Sequence, residues 1–492
     1  MKCPKCGTEN PDDAQICRSC GYVPKSDAAD KPVAKPKTSR LAIASLVLSI
    51  FGLFTFLITA VLSIALGITS LCRIKKHKPE LKGKCIAVTG IIISAVSILV
   101  FVSVFVLWSL DAPPISDDYT IADLRSAPPE CNRSYELLMS LSEEQECPPD
   151  APKIGLSEQD VNTIEQVNEV IKESDYSKIT ETLKANADSI NQAWENAKKG
   201  RDVINELNTF PEMADLTEPD LDVEMKLLRN LRHLVYLYQA YVYLQTEQGK
   251  TQIAVNELIE LDSVFRKLSV NVRPMVTKLV CIAGLANNIF TANFIVNNPQ
   301  TSPKSLEILA EHFKPFTREQ TSLQNSIISE YLACKKALDT YLGRHVMRTP
   351  MLKRNSTFRL AKNICDNLLD IMQESPESKN SQLSVWPVIH LNWMPVSLDS
   401  EHRLPWYYTC YNPVGSVIVQ IVAPSYERIF QIKTRLQIHS DLLQIVLNKR
   451  LGKQVSLKAR AYGDEYIIDV EKKRIFSPGP DGEADTKDGR LR

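Results

Sequence analysis

Neither sign of charge predominates in this chain of 492 residues: 58 Lys and Arg stand against 58 Asp and Glu. A zero balance argues against a protein that coats nucleic acid and against an acidic-tail protein, so no nucleic-acid partner is expected. Catalytic signatures are missing too. The chain has no Gly-x-Ser-x-Gly elbow, phosphate loop, His-Glu-x-x-His or dinucleotide glycine pattern, and a non-catalytic protein with no identified small-molecule substrate is the expectation. His390 and His402 have no third ligand near them in sequence, which leaves a catalytic metal without support. A cleaved signal peptide is not expected, because the first apolar run starts only after forty residues. The length suggests about three domains.

The overall zero hides a split. Residues 1–110 carry 14 basic and 6 acidic side chains, net +8, and residues 111–492 carry 44 and 52, net −8. Within the first part, charge vanishes altogether over 41–72 and again over 85–110, runs of 32 and 26 residues. Both exceed the roughly 20 apolar residues that a membrane-spanning helix needs, so the chain is expected to be an integral membrane protein.

Of twelve cysteines, Cys3, Cys6, Cys17 and Cys20 form two Cys-x-x-Cys pairs, each followed by glycine and separated by ten residues. Two thiolates three apart on a tight turn can meet one ion, and four of them predict a closed, structural tetrahedral Zn²⁺ site. Disulfides or a redox Cys-x-x-Cys are the rival reading, but a thioredoxin-type motif needs a βαβ context that is absent here. Residues 3–22 resemble the small N-terminal zinc ribbons of bacterial membrane proteins. A ribbon this short has no core, so metal binding must supply its folding free energy. The remaining eight cysteines show no metal-ligand spacing, and most are expected to behave as small buried hydrophobes. Cys131 and Cys147, on either side of one short helix, are a disulfide candidate if they lie outside the cytosol.

The domain plan that follows is a ribbon at 1–24, a linker at 25–40, a transmembrane module at 41–110, a Pro-rich stalk at 111–155 with one helix near 134–145, a helical domain at 156–374 and a mixed segment at 375–492. The module admits two arrangements. Basic residues flank both sides of the first run, with Lys31, Lys35, Lys37 and Arg40 before it and Arg73, Lys75, Lys76, Lys78, Lys82 and Lys84 after it. A helix of 32 residues would span roughly 48 Å against a hydrocarbon core of roughly 30 Å. Either 41–72 is a helical hairpin bent near Gly52 and Thr55, which keeps both flanks inside and sends 85–110 outward, or it is one long span and the basic loop is exported. The positive-inside bias favours the hairpin, with residues 111–492 extracytoplasmic. The runs Ser39–Leu48, Arg73–Lys84 and Lys84–Ile92 look like a bacterial membrane module of unknown function. The module resembled has no established activity, so the resemblance supports the membrane topology and a bacterial origin rather than a chemistry.

From 156 to 374 apolar residues recur at helical spacing, as in Leu227, Leu231, Leu234 and Val235, and six to eight helices are predicted. The stretch from Leu237 through Gly249 to Leu258 looks like one tetratricopeptide-type helix pair. The fold class is therefore mainly α, with an irregular helical array or a single bundle as its large domain and a small antiparallel β element at the C-terminus. Residues 386–411 hold Trp386, Trp393, Trp406, Tyr407, Tyr408 and Tyr411. These rings either seal irregular chain onto the helices or form a groove for a peptide or glycan, and an envelope hydrolase or glycan binder using Asp399 or Glu401 is the alternative function. After Gly415, Val417–Val422 reads as a short β run and a helix is predicted from Pro424 to Leu451. Strands are expected at 455–462 and 464–470. This last part, ending in Ser-Pro-Gly-Pro-Asp-Gly, resembles the tail of type II secretion major pseudopilins. In that family the acidic loop binds calcium, which implies Asp481, Asp485 and Asp488, with Glu483, as Ca²⁺ ligands; a solvated acidic tail is the other reading. The expectation is a membrane-anchored envelope scaffold or adaptor with an unidentified protein partner, near a secretion or pilus apparatus.

Overall fold

The computed structural model describes residues 1–23, 37–51, 58–76, 81–142, 154–173, 175–220, 226–342, 352–373, 389–391, 394–396, 403–458, 465–469, 474–476 and 490–491. The chain divides into two compact units, Met1–Leu110 and Asp111–Arg492.

The first unit holds the ribbon and three helices. A two-residue strand β1 (Lys37–Thr38) leads into α1 (Arg40–Phe51). Then come α2 (Ile58–Lys76), the strand β2 (Leu81–Lys82) and α3 (Lys84–Ser109). β1 and β2 pair in parallel, Lys37 with Leu81 and Thr38 with Lys82. The three helices pack against one another.

The second unit is almost entirely helical. It begins with α4 (Glu130–Ser140), α5 (Glu158–Glu173), α6 (Tyr176–Ala185), α7 (Ala187–Asn196) and α8 (Lys198–Thr209). Its centre is formed by α9 (Lys226–Glu247), α10 (Thr251–Leu268) and α11 (Met275–Asn297), each packed on the other two. Shorter helices follow: α12 (Pro303–His312), α13 (Arg318–Thr321), α14 (Gln324–Ala337) and α15 (Arg354–Gln373). A hairpin of β3 (Ile389–Leu391) and β4 (Met394–Val396) precedes α16 (Trp406–Tyr411) and α17 (Pro413–Arg450). The chain then forms a small antiparallel sheet of β5 (Ile467–Asp469), β6 (Arg474–Phe476) and β7 (Arg490–Leu491), with β6 in the middle.

The predicted helix pair at 237–258 is α9 and α10, and Gly249 sits in their turn at φ 75°, a left-handed value that suits glycine. The pair does not start a regular array. α11 packs against both members, so the three close on one another. Leu244 and Tyr243 of α9 join Phe294 of α11 and Ile171, Leu183 and Ile190 of α5–α7 in one core cluster. The Tyr243 and Phe294 rings stack at 4.0 Å. α11 is apolar enough on all sides to cross a membrane, yet two thirds of that surface is buried in its own domain. It also carries the buried, hydrogen-bonded Lys278 and Asn288, and a helix apolar all round and covered by neighbours is a central core helix.

Four expectations are corrected. Residues 156–374 contain eleven described helices, not six to eight, because breaks at Asn186 and Ala197 split one amphipathic stretch into α6, α7 and α8 and because α13 is a single four-residue turn. The Pro-rich stretch 111–155 is no free stalk over its described residues. The Asp111 carboxylate accepts from the Asn355 and Ser356 amides at 2.8 and 3.0 Å, and Tyr119 donates to Asp366 at 2.5 Å, which ties it to the domain. Its helix α4 also starts earlier than read, at Glu130 behind Pro129. Val417–Val422 lies inside α17 rather than in a strand. The Asn412 side chain caps the Gly415 amide at 3.2 Å and Pro413 occupies the first turn, so a strong start signal outweighs the β propensity of the valines. Of the predicted C-terminal strands, β5 lies inside 464–470, and an antiparallel bridge from Lys458 to Glu465 joins the two predicted segments among the described residues.

Candidate metal centre and membrane module

The ribbon is two matching turns. Gly7 N–H donates to Cys3 O and Gly21 N–H to Cys17 O, both at 2.9 Å, with the glycines at φ 74° and 68°. Each turn presents its two thiols to the other turn. Cys3 Sγ lies 3.7 Å from Cys20 Sγ and Cys6 Sγ lies 3.6 Å from Cys17 Sγ, and all four sulfurs fall within 4.8 Å of one another. A tetrahedron with Zn–S bonds of about 2.3 Å has edges of about 3.8 Å, so the set fits one Zn²⁺. A disulfide needs about 2.0 Å, and the cysteines are free.

The turns also prepare the charge. Amides of Cys20 and Ser19 and the Asn10 side chain bring the Cys17 thiol down to about 6, and the Thr8 hydroxyl and amide lower Cys6. Cys20 is pushed up to about 12 by the neighbouring Cys6 sulfur, as expected where four thiolates share a space before a cation arrives. Asn10 is a member that sequence reasoning missed. Its amide nitrogen reaches Cys17 Sγ at 3.4 Å and Thr8 O at 3.0 Å, while its oxygen accepts from Arg18 N at 3.0 Å. It lies between the pairs with no motif to mark it.

The helical module is built with its polarity inverted. Apart from Ile74, its interior is small and hydroxylic: Ala42, Ser45 and Ser49 from α1, Ala60, Ser63, Gly67 and Ser70 from α2, Ala87, Gly90, Ser94 and Ser97 from α3. Its outside is large and apolar, with Ile43, Val47, Leu62, Ile68, Ile92 and Leu99 all roughly half exposed or more. Ser63 Oγ donates to Ser45 O at 2.7 Å and accepts from Ser94 Oγ at 2.8 Å, joining all three helices at one point. Close approach is enforced by glycine: a Cβ on Gly90 would meet Ser45 Oγ at 2.7 Å, and one on Gly67 would meet Ile91 Cγ1 at 2.6 Å. Small residues inside and bulky apolar ones outside is how helices pack in lipid, where no hydrophobic force drives them together. α2 and α3 are long and apolar enough to span. These helices fit a membrane-anchored chain.

The pairing sets the course of the chain. Contacts of Ser39 with Ser70 and of Ser45 with Ser63 make α1 and α2 antiparallel, and β1 alongside β2 makes α1 and α3 parallel. The start of α1, the end of α2 and the start of α3 therefore share one end of the module. The spacing of small residues, 63, 67 and 70 against 87, 90, 94 and 97, is the signal from which this face was readable.

In the large domain, two clusters of titratable groups are paired. Asp262 is fully buried, with Arg266 Nε at 2.6 Å, His312 Nε2 at 2.9 Å and Asn288 Nδ2 at 3.1 Å. Burial raises its carboxyl, but Arg266 and His312 outweigh that and hold it below the usual range. Asp118 accepts from Tyr331 at 2.5 Å and pairs with Lys335. A cavity of about 30 Å³ beside them, lined by Glu330, Cys334, Phe358, Cys365 and Val419 among others, holds one or two waters at most. Of the aromatic set, Tyr408 and Tyr411 are buried and Trp406 is 77% exposed. Trp386, Trp393, Asp399, Glu401 and His402 lie outside the described residues, as do Cys147 of the Cys131–Cys147 pair and the calcium candidates Asp481, Glu483, Asp485 and Asp488. Cys131 itself is buried. Among the described residues the four ribbon cysteines are the one group of three or more His, Cys, Asp or Glu placed to hold a metal.

Compared with known proteins, residues 2–23 match a zinc-ribbon domain and residues 41–104 match a family described as Domain of unknown function (DUF4190). No curated protein and no solved structure matches the chain.

Proposed function

We propose that this protein is a non-catalytic scaffold of the bacterial envelope. α1–α3 anchor it in the cytoplasmic membrane, with the ribbon and the basic end of the module in the cytoplasm and residues 111–492 on the far side as a docking domain for a protein partner. The observation that carries this reading is the common end of α1, α2 and α3. It gathers the basic flanks before residue 41 and after residue 72 on one side of the module, where the positive-inside rule places them together. The ribbon thiols then face a reducing compartment that favours metal over oxidation. The charge pairs of Asp262 with Arg266 and His312, and of Asp118 with Lys335, suit structural roles rather than catalytic ones. Alkaline phosphatase, active only after export, tests the orientation. Fused behind residue 155 it should be active, and inserted between residues 76 and 82 it should be silent. The opposite pair of results overturns the orientation. Site-specific crosslinking from exposed positions of α5–α8 that recovers no reproducible envelope protein would remove the scaffold role.

A further inference from the structure

The shared end of the three helices carries more positive charge than the fold itself can use. Lys37, Arg40, Arg73, Lys75, Lys76, Lys82 and Lys84 are all exposed there, and none makes an ion pair among the described residues. Between Lys37 and Lys84 the sequence offers a single carboxylate, Glu80. Two of these cations stand where a helix disfavours them. Arg40 is the first residue of α1 and Lys84 the first of α3, both at the positive end of the helix dipole, and neither helix has an acidic residue in its first turn. Only Arg73, Lys75 and Lys76, in the last turn of α2, complement their own helix. Local rules broken together at one place point to a counter-charge supplied from outside the chain. One turn further along, exposed Ile43 and Ile68 begin the apolar outer surface, which sets the cations at the depth of lipid headgroups.

We infer that this end is a binding surface for anionic phospholipid, with headgroup phosphates seated between the first turns of α1 and α3 and the last turn of α2. The inference rests on the membrane reading above but not on its orientation, which the phosphatase fusions decide separately. The seven side chains come from three chain segments that are held together by the β1–β2 pair and the Ser39 to Ser70 contact, so the surface exists only in the folded module.

The test uses the full chain in mild detergent, mixed with equal amounts of phosphatidylglycerol and phosphatidylcholine, with retained lipid counted by native mass spectrometry. Wild type should retain phosphatidylglycerol about tenfold over phosphatidylcholine. The combined variant Lys75→Gln, Lys76→Gln, Lys82→Gln, Lys84→Gln should bind the two about equally, and Lys198→Gln, Lys199→Gln on the large domain should behave as wild type. Millimolar inorganic phosphate should not displace the lipid. Equal retention of both lipids by wild type overturns the inference, and needs no variant to fold. A preference unchanged in the fourfold variant also overturns it, and displacement by phosphate would make the surface a free-anion site instead.

Discussion

Cys17 carries its thiolate ready for metal, because two backbone amides and Asn10 point at its sulfur. Binding energy therefore goes into closing the ribbon rather than into deprotonating every ligand. Cys6→Ser removes one of four donors. The chain should then lose its zinc, read as a fall from about one metal per chain to near none by elemental analysis; full zinc content in the variant would show that other groups hold it. A different residue governs the pH response of the large domain. Glu257 on α10 is partly buried, and burial first and the neighbouring Glu260 second raise its carboxyl to about 7, with Arg201 of α8 opposing them. Tyr238 and Tyr241 of α9 feel the same charge. The folded value lies above the ordinary 4.5, so the protonated form is favoured by folding. That stability is present in full below about pH 4.5 and is lost as pH rises through about 7. Glu257→Gln should stabilise the domain by about 1 kcal/mol at pH 8, after allowance for solvent screening, and by almost nothing at pH 4.5. Denaturant midpoints at the two pH values decide it, and an equal shift at both would assign the effect to packing.

Among the elements, the three-helix module shows how unequal two kinds of contact are. The Ser94 to Ser63 hydrogen bond links α3 to α2, yet such bonds in membranes average only about 0.6 kcal/mol, since the separated helices also find partners. Gly90 has no side chain to bond with and sets the distance between α3 and α1. Ser94→Ala should therefore barely move the thermal midpoint of the detergent-solubilised module, whereas Gly90→Val should lower it by several degrees. Similar shifts for both would refute the steric account. The length of 41–72 favoured a bend over one long span, because a single untilted helix of that length exceeds a bilayer. Which residues meet across the bend was not readable, since the register of α1 on α2 comes from contacts between Ser45 and Ser63, eighteen residues apart. α17 shows the converse, a local pattern misread. Its valines favour a strand by propensity, and the Asn412 cap, itself held by Lys353 N at 2.9 Å and Thr357 Oγ1 at 2.8 Å from another element, decides for helix.

At the scale of the whole molecule, the ribbon and the large domain lie in separate compact units, and the ribbon has no core beyond its metal. Chelation of zinc should unfold residues 1–23 and leave the unfolding transition of residues 111–492 where it was. Calorimetry with and without a chelator checks this, and a shifted main transition would mean that the two are coupled. The division itself was legible, as were the zinc ligands and the apolar spans. Each depends on composition or on spacings of a few residues: four cysteines in two turns, a long run without charge, a change of net charge from +8 to −8. Everything that joins distant segments was settled only by tertiary packing. The Asp262 to His312 contact, the docking of 111–119 onto α14 and α15, and the union of seven cations at one end of the membrane module all join residues tens to hundreds of positions apart. No local window records such pairs, because what selects them is the fit of whole helix faces to one another.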